Sequence, residues 1–263
     1  MVAREEESSV LVNEGVVAQV MLNRPQALNA INADMLQSII FAFERLQRDP
    51  GVRVITLWGA GKEAFIAGMD IPAVADLGPR PMAEYVELGQ RAMRVIETCR
   101  VPVVAAVNGF AFGPGLEVAL ACDLIVAGQT ARFGLPEAEL GVVPAFGGLQ
   151  RLLQRCGVGA VRRLAFTSDL IDVQEALRLG LVDIVAAEGE LNQVVNALAD
   201  KISKQAPLAL TQVKNVLRRA EEQVLLAGLR REVESYLKLY ESADRQEGMH
   251  AFMHKRPPDF KGR

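Results

Sequence analysis

Short apolar segments alternate with longer amphipathic ones from residue 10 to about residue 185. Residues 103–107 are apolar and rich in valine, which is typical of a strand buried on both faces of a parallel sheet. Alternation of such strands with helices predicts an α/β fold. From residue 191 to residue 252 only helical patterns occur, with Pro207 at an expected helix start. We therefore expect two parts, residues 1–190 and residues 191–263.

Individual elements follow from the finer pattern. Residues 10–12 and 16–22 flank a turn and predict a β-hairpin. Further strands are expected at residues 52–59, 124–126 and 132–133, and helices at residues 34–48, 82–100 and 114–123 and after Pro136 and Ala145. The segments between residues 59 and 81 are expected to form loops, and Asn108-Gly109 is expected to form a turn.

Composition excludes several classes of function. The chain has 263 residues, 29 basic against 32 acidic side chains and a formal net charge of −3. Without a basic excess, nucleic-acid binding is not expected as its main function. The apolar runs are too short to span a bilayer, and the charged N-terminus does not fit a secretory signal. Three unpaired cysteines fit a cytoplasmic protein, and two histidines one helical turn apart do not predict a metal site.

Two glutamates stand in unusual surroundings. Glu117 is the only charged residue of the apolar stretch 116–122, where a carboxylate is costly unless it pairs or faces a cavity. The alternative is that Glu117 stabilises a helix start through the helix dipole. Glu137 follows Pro136 and admits the same two interpretations, and Glu139 is as plausible a candidate from the residues alone.

Seven segments, taken together and in this order, resemble the crotonase superfamily of enoyl-CoA hydratases and isomerases. They are residues 22–30 (LNRPQALNA), 61–71 (GKEAFIAGMDI), 107–117 (VNGFAFGPGLE), 121–123 (ACD), 133–137 (FGLPE), 144–152 (PAFGGLQRL) and 247–260 (EGMHAFMHKRPPDF). Each segment alone is a weak signal, and the ordered set carries the resemblance.

The resemblance implies a fold and a ligand. The fold is a spiral of repeated ββα units over residues 1–190, which would hold the acyl-CoA site. Residues 191–263 would form a helical region that supports homotrimers, often paired into hexamers. The ligand would be an acyl-CoA thioester, so that coenzyme A is part of the substrate and neither a separate cofactor nor a metal is expected.

The resemblance also implies roles for individual residues. Glu117 and Glu137 match the two hydratase glutamates, of which the first handles a water molecule and the second supplies a proton to Cα. Met69 N–H matches one donor to the thioester oxygen. Coenzyme A is expected against the following backbone positions and C-terminal residues: Ala27, Leu28, Ala67, Gly68, Asp70, Ile71, Phe260 and Lys261.

One position departs from the family pattern. The second donor to the thioester oxygen is usually a glycine N–H, but Pro114 stands there and has no N–H. Either Gly115 N–H or a water replaces that donor, or hydration is slow, or the reaction differs. The expected function is enoyl-CoA hydration. The alternatives are enoyl-CoA isomerisation, carbon–carbon hydrolysis of a β-dicarbonyl compound, and acyl-CoA binding with little catalysis.

Overall fold

The computed structural model describes residues 8–262, without the side chains of residues 220–224. Two parallel sheets organise the first part of the chain. The large sheet has the order β1-β2-β3-β5-β7-β10, and only its first pair is antiparallel. Its strands are β1 (Val10–Asn13), β2 (Val17–Leu22), β3 (Val54–Gly59), β5 (Val103–Val107), β7 (Leu124–Gly128) and β10 (Ile184–Ala186).

The small sheet has the order β4-β6-β8-β9, with β8 and β9 antiparallel. Its strands are β4 (Ala64–Ile66), β6 (Phe110–Phe112), β8 (Arg132–Gly134) and β9 (Ile171–Asp172). The three successive pairs β3/β4, β5/β6 and β7/β8 each place their first member in the large sheet and their second in the small one, whereas β1 and β2 both lie in the large sheet. A helix or a 3₁₀ turn follows each pair. This arrangement confirms the predicted α/β fold with repeated ββα units.

The helices complete the architecture. They are α1 (Ala33–Leu46), α2 (Ile71–Val74), α3 (Pro79–Glu97), α4 (Pro114–Leu120), α5 (Gly148–Thr167, interrupted at Gly157), α6 (Val173–Arg178), α7 (Leu191–Ser203), α8 (Pro207–Tyr240) and α9 (Ala243–Met253). Two 3₁₀ turns span Pro25–Ala27 and Pro136–Leu140. As predicted, the regular elements described between residues 191 and 262 are all helices, and α8 starts at Pro207. No helix within the described part of the chain is long and apolar enough to cross a membrane.

Three local predictions were wrong. Residues 64–66 form β4 instead of a loop, because they pair with the distant residues 110–112, whose strand β6 the pattern did not predict. Helix α3 starts at Pro79, three residues earlier than expected, since prolines in a first turn sacrifice no intrahelical hydrogen bond. The helix expected after Pro136 is a single 3₁₀ turn, which ends at Gly141 in the left-handed conformation.

The site region lies where buried elements meet. Every residue of β5 and α4 is buried, so α4 is enclosed by the main core. A smaller apolar cluster joins the other face of the large sheet to α7. Helix α8 packs on α3 and α5, and α9 packs on the 3₁₀ turn Pro136–Leu140. The C-terminal helices therefore lie over the same region that holds α4.

Candidate active site

Helix α4 carries Glu117 into the interior. The helix begins after Gly113, whose φ of 49° is a conformation that favours glycine, and Pro114 occupies its first position. Gly115 lets α4 approach β4 closely, because a Cβ on Gly115 would lie 2.2 Å from the Ile66 carbonyl oxygen. The close approach leaves Glu117 only 1% exposed.

The Glu117 carboxylate is held by backbone N–H groups. Its Oε1 accepts hydrogen bonds from Phe146 N at 2.9 Å and from Gly148 N at 2.7 Å. Burial raises the pKa of Glu117 to about 7, although these two hydrogen bonds and the charge of Arg151 act in the opposite direction. A carboxyl group with a pKa near neutrality can both accept and release a proton.

Glu137 lies on the 3₁₀ turn Pro136–Leu140 and is buried. Neither of its carboxyl oxygens has a hydrogen-bond partner among residues 8–262. Burial raises the pKa of Glu137 well above its usual value, and the charges of Glu117 and Glu232 raise it further. Glu137 is therefore suited to carry a proton at neutral pH. Glu139, which the sequence left as an equal candidate, is exposed and lines the same cavity as Glu137.

A cavity of about 120 Å³ adjoins Glu137. One side is formed by residues of three of the family segments. They include Gly68, Met69 and Ile71 of segment 61–71, Gly113 and Pro114 of segment 107–117, and Pro136 of segment 133–137. Gly115 and Glu117 lie on α4, shortly after Pro114, and are not among the residues that line the cavity. The Glu117 carboxylate is held against the segment Phe146 to Gly148.

The other side of the cavity comes from the C-terminal helices. Tyr236 of α8 and Met249 and Phe252 of α9 line it. The Tyr236 hydroxyl is buried and has no hydrogen-bond partner in the described part of the chain. Met249 and Phe252 belong to the family segment 247–260 but were not predicted as site residues, and Tyr236 was not predicted at all. About a hundred positions separate Tyr236 from Glu137, and a helical pattern does not reveal which distant element the helix will cover.

Glu232 of α8 was also missed. It stands in the charged segment Arg230-Arg-Glu-Val-Glu234, a pattern typical of a solvated helix face, yet it is only 3% exposed. Burial raises the pKa of Glu232 to about 8, and the charge of Glu117 contributes to the increase. Glu117, Glu137 and Glu232 thus influence one another electrostatically. Within residues 8–262, no group of three or more His, Cys, Asp or Glu side chains is arranged to hold a metal ion.

Met69, which the resemblance assigns as one donor, lines the cavity. The hydrogen bonds of Ile31 N to Gly68 O (2.9 Å) and of Asp70 N to Ile31 O (2.8 Å) flank Met69. Because N–H groups of successive extended residues point to opposite sides, the Met69 N–H points away from Ile31. Of the two lining positions Met69 and Pro114, only Met69 carries an N–H.

The residues expected to contact coenzyme A fall into two groups. The first group is held together by hydrogen bonds and an ion pair. Ala67 N donates to Leu28 O at 3.0 Å. Arg24 forms an ion pair with Asp70 at 2.8 Å and donates to Ala30 O at 2.6 Å. Leu28 itself adopts the left-handed conformation. These contacts bring the 3₁₀ turn Pro25–Ala27 and residues 67–71 together.

The second group is C-terminal. Lys261 N donates to Asp244 Oδ1 of α9 at 2.7 Å, and Phe260 is exposed. The hydrogen bond from Lys261 N to Asp244 therefore ties the C-terminal segment to α9.

Comparison with known proteins agrees with this architecture. The chain matches the enoyl-CoA hydratase/isomerase family over residues 12–263. It is 38% identical to a short-chain-enoyl-CoA hydratase of Clostridium acetobutylicum over 94% of this chain and 95% of that protein. It is 37% identical to a crotonyl-CoA hydratase of Syntrophomonas wolfei over 97% of this chain and 98% of that protein.

The fold is similar to a solved structure as well. The crystal structure of an enoyl-CoA hydratase from Mycobacterium avium subsp. paratuberculosis superposes with a TM-score of 0.88 at 29% identity, over 96% of this chain and 98% of that chain. Sequence and fold together show that this chain belongs to the enoyl-CoA hydratase/isomerase family, the crotonase superfamily.

Proposed function

We propose that the chain is an enoyl-CoA hydratase, a hydro-lyase that adds water reversibly across the double bond of a 2-enoyl-CoA thioester. The observation that carries this proposal is the pair of buried glutamates, Glu117 and Glu137, whose pKa values are both raised. Relatives named as hydratases, matched over nearly the full chain, support the same reaction.

In the proposed mechanism the two carboxyl groups act on one water. Glu117, in its carboxylate form, orients the water and takes a proton from it as the oxygen bonds to Cβ. Glu137, in its carboxylic acid form, gives a proton to Cα from the same face, so the addition is syn. Afterwards Glu117 holds the extra proton and Glu137 lacks one. Transfer of that proton through solvent restores both groups.

Negative charge develops on the thioester oxygen during the reaction. We assign its stabilisation to Met69 N–H and to the positive end of the α4 dipole. Pro114 supplies no hydrogen bond at the second donor position, and Gly115 is packed against Ile66. A missing donor of this kind costs about 10²–10³ in rate in other enzymes. Turnover slower than that of a hydratase with both donors is therefore expected.

Coenzyme A is proposed to lie against Ala27, Leu28, Ala67, Gly68, Asp70 and Ile71. The hydrogen bond between Ala67 and Leu28 supports this, because it joins the two backbone segments into one surface. Phe260 and Lys261 are proposed to touch the adenosine end, in the same or a neighbouring subunit. The reaction as written needs no cofactor apart from the coenzyme A of the substrate.

We further propose a homotrimer or a pair of trimers, located in the cytoplasm. Exposed apolar side chains on α8, namely Leu208, Val213, Val216 and Leu217, support an assembly that covers them. The free cysteines Cys99, Cys122 and Cys156 fit a reducing compartment. Analytical ultracentrifugation tests the assembly, and a monomer at micromolar concentration would refute it.

The decisive test is hydration of crotonyl-CoA, followed by loss of the enoyl-thioester absorbance and by the mass of one water in the product. Glu117→Gln and Glu137→Gln are each expected to reduce kcat by orders of magnitude while the thioester still binds. Near-wild-type rates in either variant would refute the assignment.

Pro114 favours a second candidate, an acyl-CoA-binding protein with little catalysis or an enzyme whose reaction needs less oxyanion stabilisation. Tight thioester binding in calorimetry without hydration supports this candidate. A product of unchanged mass would indicate isomerisation, and fragments from a β-dicarbonyl thioester would indicate carbon–carbon cleavage.

A further inference from the structure

Glu232 is a buried carboxyl group outside the proposed catalytic pair. Its Oε2 accepts a hydrogen bond from Gly147 N at 2.7 Å, and Gln150 also donates to the carboxyl group. Its Oε1 is buried without a partner in the described part of the chain. Burying a carboxyl group with an unused oxygen costs free energy, so an apolar side chain would hold α8 in place more favourably.

Gly147 lies between the two residues that bind Glu117. Phe146 N and Gly148 N donate to Glu117, while the intervening Gly147 N donates to Glu232. Three consecutive N–H groups thus serve two carboxyl groups on different helices. The alternation requires the backbone of Gly147, whose φ of 99° favours glycine. A Cβ there would also lie 2.3 Å from Arg151 Nη1.

Other contacts fix the same segment from the opposite side. Arg151 Nη1 donates to Phe146 O at 2.9 Å, and Arg151 Nη2 pairs with Glu97 at 3.0 Å. Gln90 Nε2 donates to Ala145 O at 2.9 Å. These bonds engage carbonyl oxygens or side chains. The Gly147 N–H itself donates to Glu232 Oε2, while the carbonyl of the same peptide unit, Phe146 O, accepts from Arg151. The two bonds together fix the orientation of the peptide unit between Phe146 and Gly147.

We infer that Glu232 is a positioning residue for Glu117: by holding Gly147 N–H, it orients the neighbouring N–H groups of Phe146 and Gly148 toward the Glu117 carboxylate. The inference rests on the proposed role of Glu117 in hydration. It gives α8 a part in the reaction as well as in covering the cavity. A shift of about 1 Å in a group that positions a reactant can cost about 10² in rate.

The test compares two substitutions of similar size in the full-length protein. Glu232→Gln keeps an oxygen that accepts from Gly147 N, whereas Glu232→Met keeps the length but no such acceptor. We expect Glu232→Met to reduce kcat for crotonyl-CoA by about 10- to 100-fold with KM changed less than about threefold. We expect Glu232→Gln to restore kcat to within about fivefold of wild type.

Leu225→Ala is the matched control, because Leu225 is buried on the same helix but has no polar group that could accept a hydrogen bond from Gly147 N. It is expected to lower the melting temperature about as much as Glu232→Met does and to leave kcat within about threefold of wild type. Equal losses of kcat in Leu225→Ala and Glu232→Met would overturn the inference. So would a Glu232→Met variant with wild-type kcat, or a Glu232→Gln variant as slow as Glu232→Met.

Two further measurements separate this inference from the proposed function. In a Glu117→Gln background, Glu232→Met should change the residual rate less than about threefold, because its effect passes through Glu117.

If wild type hydrates no enoyl-CoA, the proposed function fails, and amide hydrogen exchange still tests the positioning. Exchange at Phe146 and Gly148 should accelerate at least about tenfold in Glu232→Met but not in Glu232→Gln. Unchanged exchange would refute the positioning. If Glu232→Met does not fold, Glu232→Leu takes its place.

Discussion

Gly148 N donates to Glu117 Oε1 at 2.7 Å, and a Cβ on Gly148 would lie 2.5 Å from Glu117 Cγ. The proposed general base therefore rests directly on the first residue of α5. We expect Gly148→Ala to displace the Glu117 carboxylate and to reduce kcat for crotonyl-CoA by about 10- to 100-fold. Steady-state kinetics checks this expectation.

Gly159→Ala on the same helix is the control for the Gly148 substitution. No atom lies within 4 Å of a Cβ placed on Gly159. Since alanine is a better helix former than glycine by about 1 kcal/mol, Gly159→Ala should keep wild-type kcat and raise the melting temperature slightly. A Gly148→Ala variant that behaves like Gly159→Ala would contradict the arrangement.

Glu137→Gln should remove the proton donor while leaving the cavity intact. We expect kcat to fall by about 10²–10⁴ and KM to change little, because no other residue of the described chain donates a hydrogen bond to the Glu137 carboxyl oxygens. Glu139 of the same 3₁₀ turn also lines the cavity but is exposed, so Glu139→Gln should keep kcat within about threefold of wild type. A larger loss of kcat in Glu139→Gln than in Glu137→Gln would instead identify Glu139 as the proton donor.

Pro114→Gly and Pro114→Ala both introduce the N–H that the second donor position lacks. If that donor limits the rate, we expect both variants to raise kcat, by up to about 10². The alanine variant controls for the added backbone freedom of glycine. Rates that stay at the wild-type value in both variants would show that Met69 N–H and the α4 dipole suffice.

Stability should fall as the pH rises through neutrality. Both Glu117 and Glu232 have raised pKa values in the folded protein, about 7 and about 8, against 4.5 as their ordinary value. Between pH 4.5 and these values the folded protein binds more protons than the unfolded chain. The free energy of unfolding therefore decreases over this window.

Urea unfolding at pH 5.5 and pH 8.5 measures this effect, with more denaturant required at the lower pH. Glu137, whose pKa is also raised, adds to the effect, so the triple variant Glu117→Gln/Glu137→Gln/Glu232→Gln should lose most of the difference, because the amides do not titrate. An equally steep pH dependence in the triple variant would assign it to other groups.

Arg24 joins the proposed coenzyme A surface through its ion pair with Asp70 and its hydrogen bond to Ala30 O. We expect Arg24→Gln to raise KM for crotonyl-CoA about fivefold with little change in kcat. A partly exposed ion pair contributes up to about 1 kcal/mol, and its loss should loosen the surface that binds the substrate. A fall in kcat at constant KM would instead place this pair near the reacting atoms.

Local sequence patterns were sufficient for much of the fold. The valine-rich strand β5, the helix that begins at Pro114 and the helical C-terminal part all depend on neighbouring residues, so periodicity and proline placement predict them. Glu117 could be singled out for the same reason, since one carboxylate in an apolar helix is a local anomaly. The strands β4 and β6 could not be predicted, because each has three residues and exists only through pairing with a distant strand.

The sequence by itself determined the α/β class, the ordered family segments and the two candidate glutamates. Only the tertiary structure decided that Glu137 is buried while Glu139 is exposed, that α8 and α9 complete the cavity, and that Glu232 meets Gly147. Side-chain burial and hydrogen bonding between residues 85 positions apart depend on how helices pack. Packing is set by the summed contacts of the whole core, which no local pattern contains.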